Sequence, residues 1–433
     1  MAVNSEELRL DRRKFLMAAA GVAGTAALGS WAPWAQSRPG GPNAPIVFKQ
    51  TLAAQHFSIR DSITRVDKAA MGYLGGPNFP EDPTDLGPLV PLPGGYQAVF
   101  QFLAECGYGG FEFYTYNQAA GNPGGANPSN AQIRQWLDSA GLKSVGTHTG
   151  GLGLLNAATG GLSTNGQTQL AIADALGHRM LGTAGDPVTG AAANTLTGWQ
   201  TACDNYNKLG ALLMENYGIK AYLHPEQNNW NFINDPAHPE LARKHRIDFF
   251  IENTDPRYVF LEPDTFHMYN ARGRFPDPVD GSLWDPVQYM TKNWKRLVGW
   301  HVKDAVRAAT PVAAPGNPFE QTKIRPGFPI AGGVDVIYSL EGHIGNGAQA
   351  AAQPGTTPRA YGYDPGATAP SAQPGPDPKV WGLRRMFTDV KSNRAKGFMY
   401  HIVESDSGPG PATDPGRSLR HAKYSAKLLL GQK

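Results

Sequence analysis

Eight short runs rich in Val, Ile, Phe, Tyr and Leu recur along the chain, with helix-like segments between most of them. They are QHFSIR (55–60), GFEFYTY (110–116), KSVGTHT (143–149), RMLGTA (179–184), KAYLHPE (220–226), YVFLEP (258–263), LVGWHVK (297–303) and GFMYHIVE (397–404). Such near-continuous apolar runs suit strands buried on both faces, as in parallel sheets. Steps of roughly 33 to 41 residues between the middle runs leave room for one crossover helix each. Amphipathic segments fill those steps: Tyr96 to Cys106, Ser129 through Gly141, Thr168 to Leu176, Thr197 to Tyr217, Pro239 to Phe250, Pro286 to Trp294 and Arg417 to Leu430. Eight βα units predict an α/β fold, a single closed (β/α)8 barrel of the TIM type. An open doubly wound sheet is the competing architecture, but no Gly-rich dinucleotide loop follows the first run.

Three stretches break the regular spacing, at 62–94, 117–128 and 305–385, and the last contains a Pro/Gly/Ala-rich section at 347–378. Each begins where a strand ends, so all three are expected to overhang the C-terminal mouth of the barrel as walls or a lid. The barrel is assigned to 52–433, with a leader or linker at 37–51. Ahead of it, Asp11-Arg12-Arg13-Lys14-Phe15-Leu16 precedes the apolar run Met17 to Leu28 and a small-residue stretch to Ala35. That order predicts a twin-arginine export signal over 1–36. It implies a bacterial periplasmic or secreted protein, with the Tat translocase as a partner during export and no stable membrane anchor. Thirty-nine basic residues against 36 acidic ones give a net charge of +3, no footprint for nucleic acid. Only Cys106 and Cys203 are present, which rules out a disulfide framework and predicts two buried thiols.

Alternation along a strand decides which side chains face inward. On that basis His301 and Lys303 share the inner face of the seventh run. Glu112, Tyr114 and Tyr116 share one in the second, His224 and Glu226 in the fifth, and Ile402, Glu404 and Asp406 in the eighth. Asp264 closes the sixth, with His267 three residues on, and His148 ends the third. Barrel interiors are normally filled with Val, Ile and Leu, and ionisable groups there are costly unless paired or metal-bound. One Asp, one Glu and one or two His arriving on separate strands therefore point to a single divalent ion: Mn, Co, Zn or Mg. The candidate ligands are Asp264, His301, Glu404 and either His224 or Glu226.

SIRD (58–61), GFEFYTY, LEPDTFHM, HVKD and IVESD together resemble the xylose-isomerase-like barrel of sugar isomerases and epimerases, over about 52 to 430. The resemblance implies that Asp264, His301 and Glu404 are metal ligands, that Glu404 is also the catalytic acid/base, and that His267 contacts substrate. The fifth run departs from the pattern: His224 stands where epimerases carry a glutamate, and Glu226 follows two residues later. The implied chemistry is α-proton abstraction with a metal-stabilised enediolate on a small, non-phosphorylated carbohydrate. Glu404 and Glu226 are the candidate acid/base residues, and Lys303 the candidate group for developing oxyanion charge. His148, Glu112 and Tyr114 are candidate substrate contacts, and Tyr116, Trp230 and Phe266 are possible sugar-stacking rings. A 3-keto-glycoside lyase or hydrolase, or a dehydratase, is the alternative on the same scaffold, ahead of a non-catalytic carbohydrate-binding barrel. An abasic-site endonuclease shares the barrel, but the charge balance and the export signal argue against it.

Overall fold

In the computed structural model, eight parallel strands close into a barrel. They are β1 (Leu52–Gln55), β2 (Gly110–Tyr114), β3 (Lys143–His148), β4 (Met180–Ala184), β5 (Lys220–His224), β6 (Val259–Leu261), β7 (Gly299–Val302) and β8 (Tyr400–Val403). Each strand from β1 to β5 pairs with the next in sequence, and β8 lies between β1 and β7. The seam between β6 and β7 is closed by Val298 N–H on Leu261 O at 3.0 Å and His301 N–H on Pro263 O at 2.8 Å. The structure describes residues 47–64, 72–74, 89–91, 94–114, 128–149, 151–265, 267–268, 271, 275, 277–280, 284, 289–290, 292–306, 325–327, 400–404 and 417–430. All belong to one compact unit, Pro42–Lys433.

Helices α1 (Tyr96–Cys106), α2 (Asn130–Ala140), α3 (Thr164–Leu176), α4 (Leu196–Tyr217), α5 (Arg246–Asn253) and α6 (Arg417–Leu430) complete the described architecture. Local chemistry sets several of their ends. Ser129 and Gln132 form a reciprocal capping box at the start of α2, and Ser163 caps α3 through Gly166 N–H. Gly107, Gly141, Gly177 and Gly218 each end a helix in the left-handed conformation that glycine adopts most cheaply. Outward strand residues such as Phe111, Phe113, Trp300 and Val302 pack in the main buried cluster with helix residues Phe100, Trp199 and Phe250. Inside the barrel, Val145, Met180, Tyr222, Phe260, Val298 and Tyr400 fill the lower layers.

The first strand lies earlier than 55–60. LAAQ forms β1, fully buried, while His56–Ile59 is a 3-10 turn leading into the helical turn Arg60–Thr64. The Gln55 side chain accepts the Phe57 N–H and starts that turn, whereas the Ala pair of β1 is held by neighbours on both sides. The expected helix from Pro239 to Phe250 divides into a 3-10 turn, Pro239–Leu241, and α5. Between them the chain pairs back on itself through Ile233 N–H on Lys244 O and Arg246 N–H on Asn231 O. Of the Pro286 to Trp294 segment, the described Tyr289, Met290 and Lys292 are helical, with Asn293 N–H on Tyr289 O at 3.1 Å, and the 3-10 turn Trp294–Arg296 follows.

Parts of two insertions are seen as short antiparallel ladders, Gly72–Leu74 with Leu89–Pro91 and Asp304–Val306 with Arg325–Gly327. The export signal, most of the 37–51 leader, the rest of the insertions including the 347–378 section, and Tyr116, Phe266 and Asp406 lie outside the described residues. Cys106 and Cys203 are buried free thiols. No helix among the described residues is long and apolar enough to cross a membrane.

Glycine inside β4 makes room for the layer beneath the mouth. A Cβ on Gly182 would stand 2.4 Å from Tyr222 O and 2.5 Å from its ring. Gly182→Ala must therefore push on backbone as well as side chain, and overpacking of this kind costs about 1–3 kcal/mol. Chemical denaturation checks this, and a variant as stable as the parent would contradict it.

Candidate metal centre

Six of the eight strands, or the residues just after them, deliver one or two polar side chains each to the same place. Glu112 comes from β2, His148 from β3, His224 from β5, Glu262 and Asp264 from the segment after β6, His301 and Lys303 from β7, and Glu404 from the end of β8. All eight are buried. Position along the barrel follows from local backbone chemistry. Asp264 caps the turn that follows it, its Oδ1 accepting the His267 N–H at 3.0 Å, which leaves Oδ2 for the barrel axis. Thr265 ties this turn to β7 by donating to Lys303 O at 2.7 Å and accepting from Lys303 N at 3.0 Å.

Two overlapping sets of ligand atoms lie within 4.8 Å of one another. The outer set is His224, Asp264, His301 and Glu404; the inner set is His148, His224, Glu262 and His301. Near the mouth, His301 Nδ1 is 2.7 Å from Glu404 Oε2, and Lys303 Nζ lies 3.2 Å from Glu404 Oε2 and 3.6 Å from Asp264 Oδ2. Below, His301 Nε2 meets Glu112 Oε2 at 2.9 Å and Glu262 Oε2 at 3.3 Å. His148 Nε2 is 2.8 Å from Glu262 Oε2, and Tyr222 donates its hydroxyl to Glu112 Oε1 at 3.1 Å. The His148 and His301 rings stack with centroids 5.1 Å apart.

The charges divide sharply. Burial disfavours the Glu404 carboxylate, but Lys303 and His301 outweigh it and hold its pKa well below the usual range. Glu262 is likewise held well below, burial being overcome by the charge of His301 and the hydrogen bond to His148. Glu112 is raised by burial and by the neighbouring Glu262 charge. Burial pulls His301 down, yet Glu404, Glu262 and Glu112 together lift it well above its ordinary value. His148 is also raised against burial, chiefly by Glu112 and by Glu262. His224 falls to about 3 through burial and the nearby His301 charge, and His267 to about 3 through burial and Lys303.

The outer set suits a divalent cation. Asp264 Oδ2 is fully buried with no hydrogen-bond partner, while Lys303 Nζ at 3.6 Å and the Nε2 atoms of His224 and His267, both at 3.9 Å, surround it. Burying a carboxylate oxygen in this way is costly unless a cation completes it. Two imidazoles and two carboxylates form a donor set that can hold such an ion.

Of the sequence-predicted residues, Asp264, His301, Glu404, His224 and Lys303 come together. His224, and not Glu226, joins the ligand set from β5. Glu226 is half-buried just beyond it, its carboxyl raised by burial, with Lys303, Asp186 and Asp264 among the charges it feels. His267 reaches the rim of the set, and Tyr114 is half-buried against Phe57 and His148. Glu112 and His148 stand in the floor under His301, where Glu112 has no exposed surface. Trp230 is buried and stacked on Trp284 at 4.7 Å, a packing position. Sequence reasoning missed Glu262. The signal was present: Phe260, Glu262 and Asp264 alternate on one face, and the middle member was passed over.

The sequence profile of the xylose isomerase-like TIM barrel family matches residues 100–327. The chain belongs to that family. Among solved structures it is similar to a sugar phosphate isomerase/epimerase from Parabacteroides distasonis ATCC 8503, with 14% identity, 89% of this chain and 95% of that one covered, and a TM-score of 0.49. It is also similar to the probable 3-DHS dehydratase AsbF from Bacillus anthracis, with 14% identity, 88% and 98% covered and a TM-score of 0.40. A third similar structure is the IOLI protein with a bound zinc atom, with 11% identity, 88% and 98% covered and a TM-score of 0.42. No curated protein matches the chain.

Because Glu404, Glu262 and Glu112 raise the His301 pKa, an ion entering the outer set through His301 Nδ1 competes with a proton there. Metal affinity is therefore expected to rise with pH, about tenfold per unit for one displaced proton, until pH passes the raised pKa of His301. Titrations with Mn²⁺ or Zn²⁺ between about pH 6 and 8 check the slope, and a flat profile would contradict the assignment.

Proposed function

We propose that the protein is a divalent-metal-dependent enzyme of the sugar isomerase/epimerase type, acting on a small non-phosphorylated carbohydrate by removal of the proton α to a carbonyl. The observation that carries this reading is the buried set His224, Asp264, His301 and Glu404 at the C-terminal ends of four strands, with Lys303 against two of its carboxylates. A divalent ion held by that set would polarise a substrate carbonyl and favour the charge that develops as the proton leaves. Glu404 is the base, its carboxylate kept ionised by Lys303 and His301. Lys303 places a positive charge where oxyanion character grows. Glu226, raised by burial at the rim, is the partner that holds a proton to return. His267 and Tyr114 orient the substrate from the mouth, above the floor of Glu112 and His148. The preference for a non-phosphorylated substrate rests on the predicted export route through the Tat translocase, since phosphorylated sugars are scarce outside the cytoplasm.

One observation favours a second reading. With His224 in the ligand set, Glu226 just beyond β5 is left outside it, raised by burial and so suited to protonating a leaving group. A 3-keto-glycoside lyase or hydrolase, or a dehydratase, would use the same first step and then expel a β-substituent. Assays of the metal-loaded protein on free ketoses and on 3-keto-glycosides in deuterated solvent separate the two. Deuterium incorporation with isomerised product supports the first, and aglycone release the second. No turnover of either class, with no effect of EDTA on ligand binding, would leave a non-catalytic carbohydrate-binding barrel and overturn both.

A further inference from the structure

A histidine that binds a metal through one ring nitrogen carries its proton on the other, and the acceptor of that proton decides which nitrogen is free. The two histidines of the outer set use opposite nitrogens. His301 turns Nδ1 toward Glu404 at 2.7 Å, whereas His224 turns Nε2 toward Asp264 at 3.9 Å. No single tautomer serves both rings. Their remaining nitrogens point the same way, down into the barrel. His301 Nε2 lies within hydrogen-bond reach of Glu112 Oε2 at 2.9 Å, whereas His224 Nδ1 is approached by Glu262 Oε2 at 3.5 Å without a hydrogen bond, so Glu262 acts on it by charge alone. Both carboxylates are fully buried in a layer that barrels normally fill with aliphatic side chains.

Resting on the functional reading above, we infer that Glu112 and Glu262 are positioning residues: a buried carboxylate floor that fixes His301 and His224 in opposite tautomers and so aims both at one ion. His148 and Tyr222 hold the floor in turn, through the 2.8 Å contact with Glu262 Oε2 and the 3.1 Å hydrogen bond to Glu112 Oε1. The inner set of His148, His224, Glu262 and His301 is the rival position for the ion. Filling both positions at once would strip both ring protons from His224 and from His301. The outer set also holds Glu404, its most exposed ligand side chain at 10%, and Asp264 Oδ2, which has no hydrogen bond among the described residues.

The test uses the full chain loaded with Zn²⁺, with Glu112→Gln and Glu262→Gln made singly. Imidazole ¹⁵N NMR of the loaded parent should show His301 protonated at Nε2 and His224 protonated at Nδ1. Chelator competition should show each variant binding Zn²⁺ about 10- to 100-fold more weakly. The metal-free variants should melt below the parent, because each leaves a buried imidazole short of a carboxylate partner, so the tautomers are read in the loaded variants as well. The reversed tautomer pattern in the parent, unchanged affinity in both variants, or a tautomer pattern that both loaded variants leave unaltered would each overturn the inference. A parent that binds no Zn²⁺ overturns the functional reading together with it. A parent that binds, and fails to bind once Asp264→Asn is introduced, while both Gln variants bind normally, overturns the floor alone.

Discussion

Glu404→Gln is expected to lower turnover by about 10²- to 10⁴-fold, the range a positioned acid/base contributes. The substitution is nearly isosteric, and the backbone link of Glu404 N–H to Val302 O is untouched, so the β7–β8 pairing should survive. What changes is the charge. Glu404 is ionised because Lys303 and His301 flank it, and an amide in its place can neither take a proton from carbon nor balance those two cations. Lys303 would keep its 3.6 Å approach to Asp264 Oδ2 but lose the Glu404 carboxylate. Turnover of the substrate class found by the ketose and 3-keto-glycoside assays reads the effect, alongside a melting curve. A variant within a factor of about two of the parent would remove Glu404 from the chemistry.

Asp264→Asn is expected to weaken divalent-metal binding by more than about 100-fold. Losing a partner one shell out typically costs ten- to hundredfold, and a direct ligand costs more. Asparagine is as good a helix cap as aspartate, so the turn through His267 should keep its place. What is lost is the negative charge at Oδ2, around which His224, His267 and Lys303 stand at 3.6 to 3.9 Å. Isothermal titration with Mn²⁺ and Zn²⁺ checks this. Equal affinity in parent and variant would mean that Asp264 binds no ion.

The barrel could be read from the chain because its strands are buried on both faces, and continuous apolar runs such as YVFL and GWHV leave few other placements. β1 was the exception. LAAQ has little strand propensity of its own and is held by pairing with β2 and β8, contacts that no local pattern reports. Helix starts were legible where a capping serine stood, as at Ser129, and misplaced where a backbone return intervened, as before α5. For the site, period-two alternation found His301, Lys303 and Glu404, yet it could not choose between His224 and Glu226, which share a face. The end of β5 decides that: His224 is the strand's last residue, and Glu226 lies beyond it where a 3-10 turn begins. Alternation also placed Glu112 on the inner face without giving its depth. It lies one layer down because β2 reaches it in mid-strand, whereas Asp264 and Glu404 follow the ends of their strands.

The most direct test of a metal centre at the barrel mouth is anomalous diffraction from crystals of the full-length protein grown with Mn²⁺. The account predicts a single anomalous peak bonded to His224 Nε2, Asp264, His301 Nδ1 and Glu404. No peak at the mouth, or one bonded instead to His148 and Glu262, would contradict it.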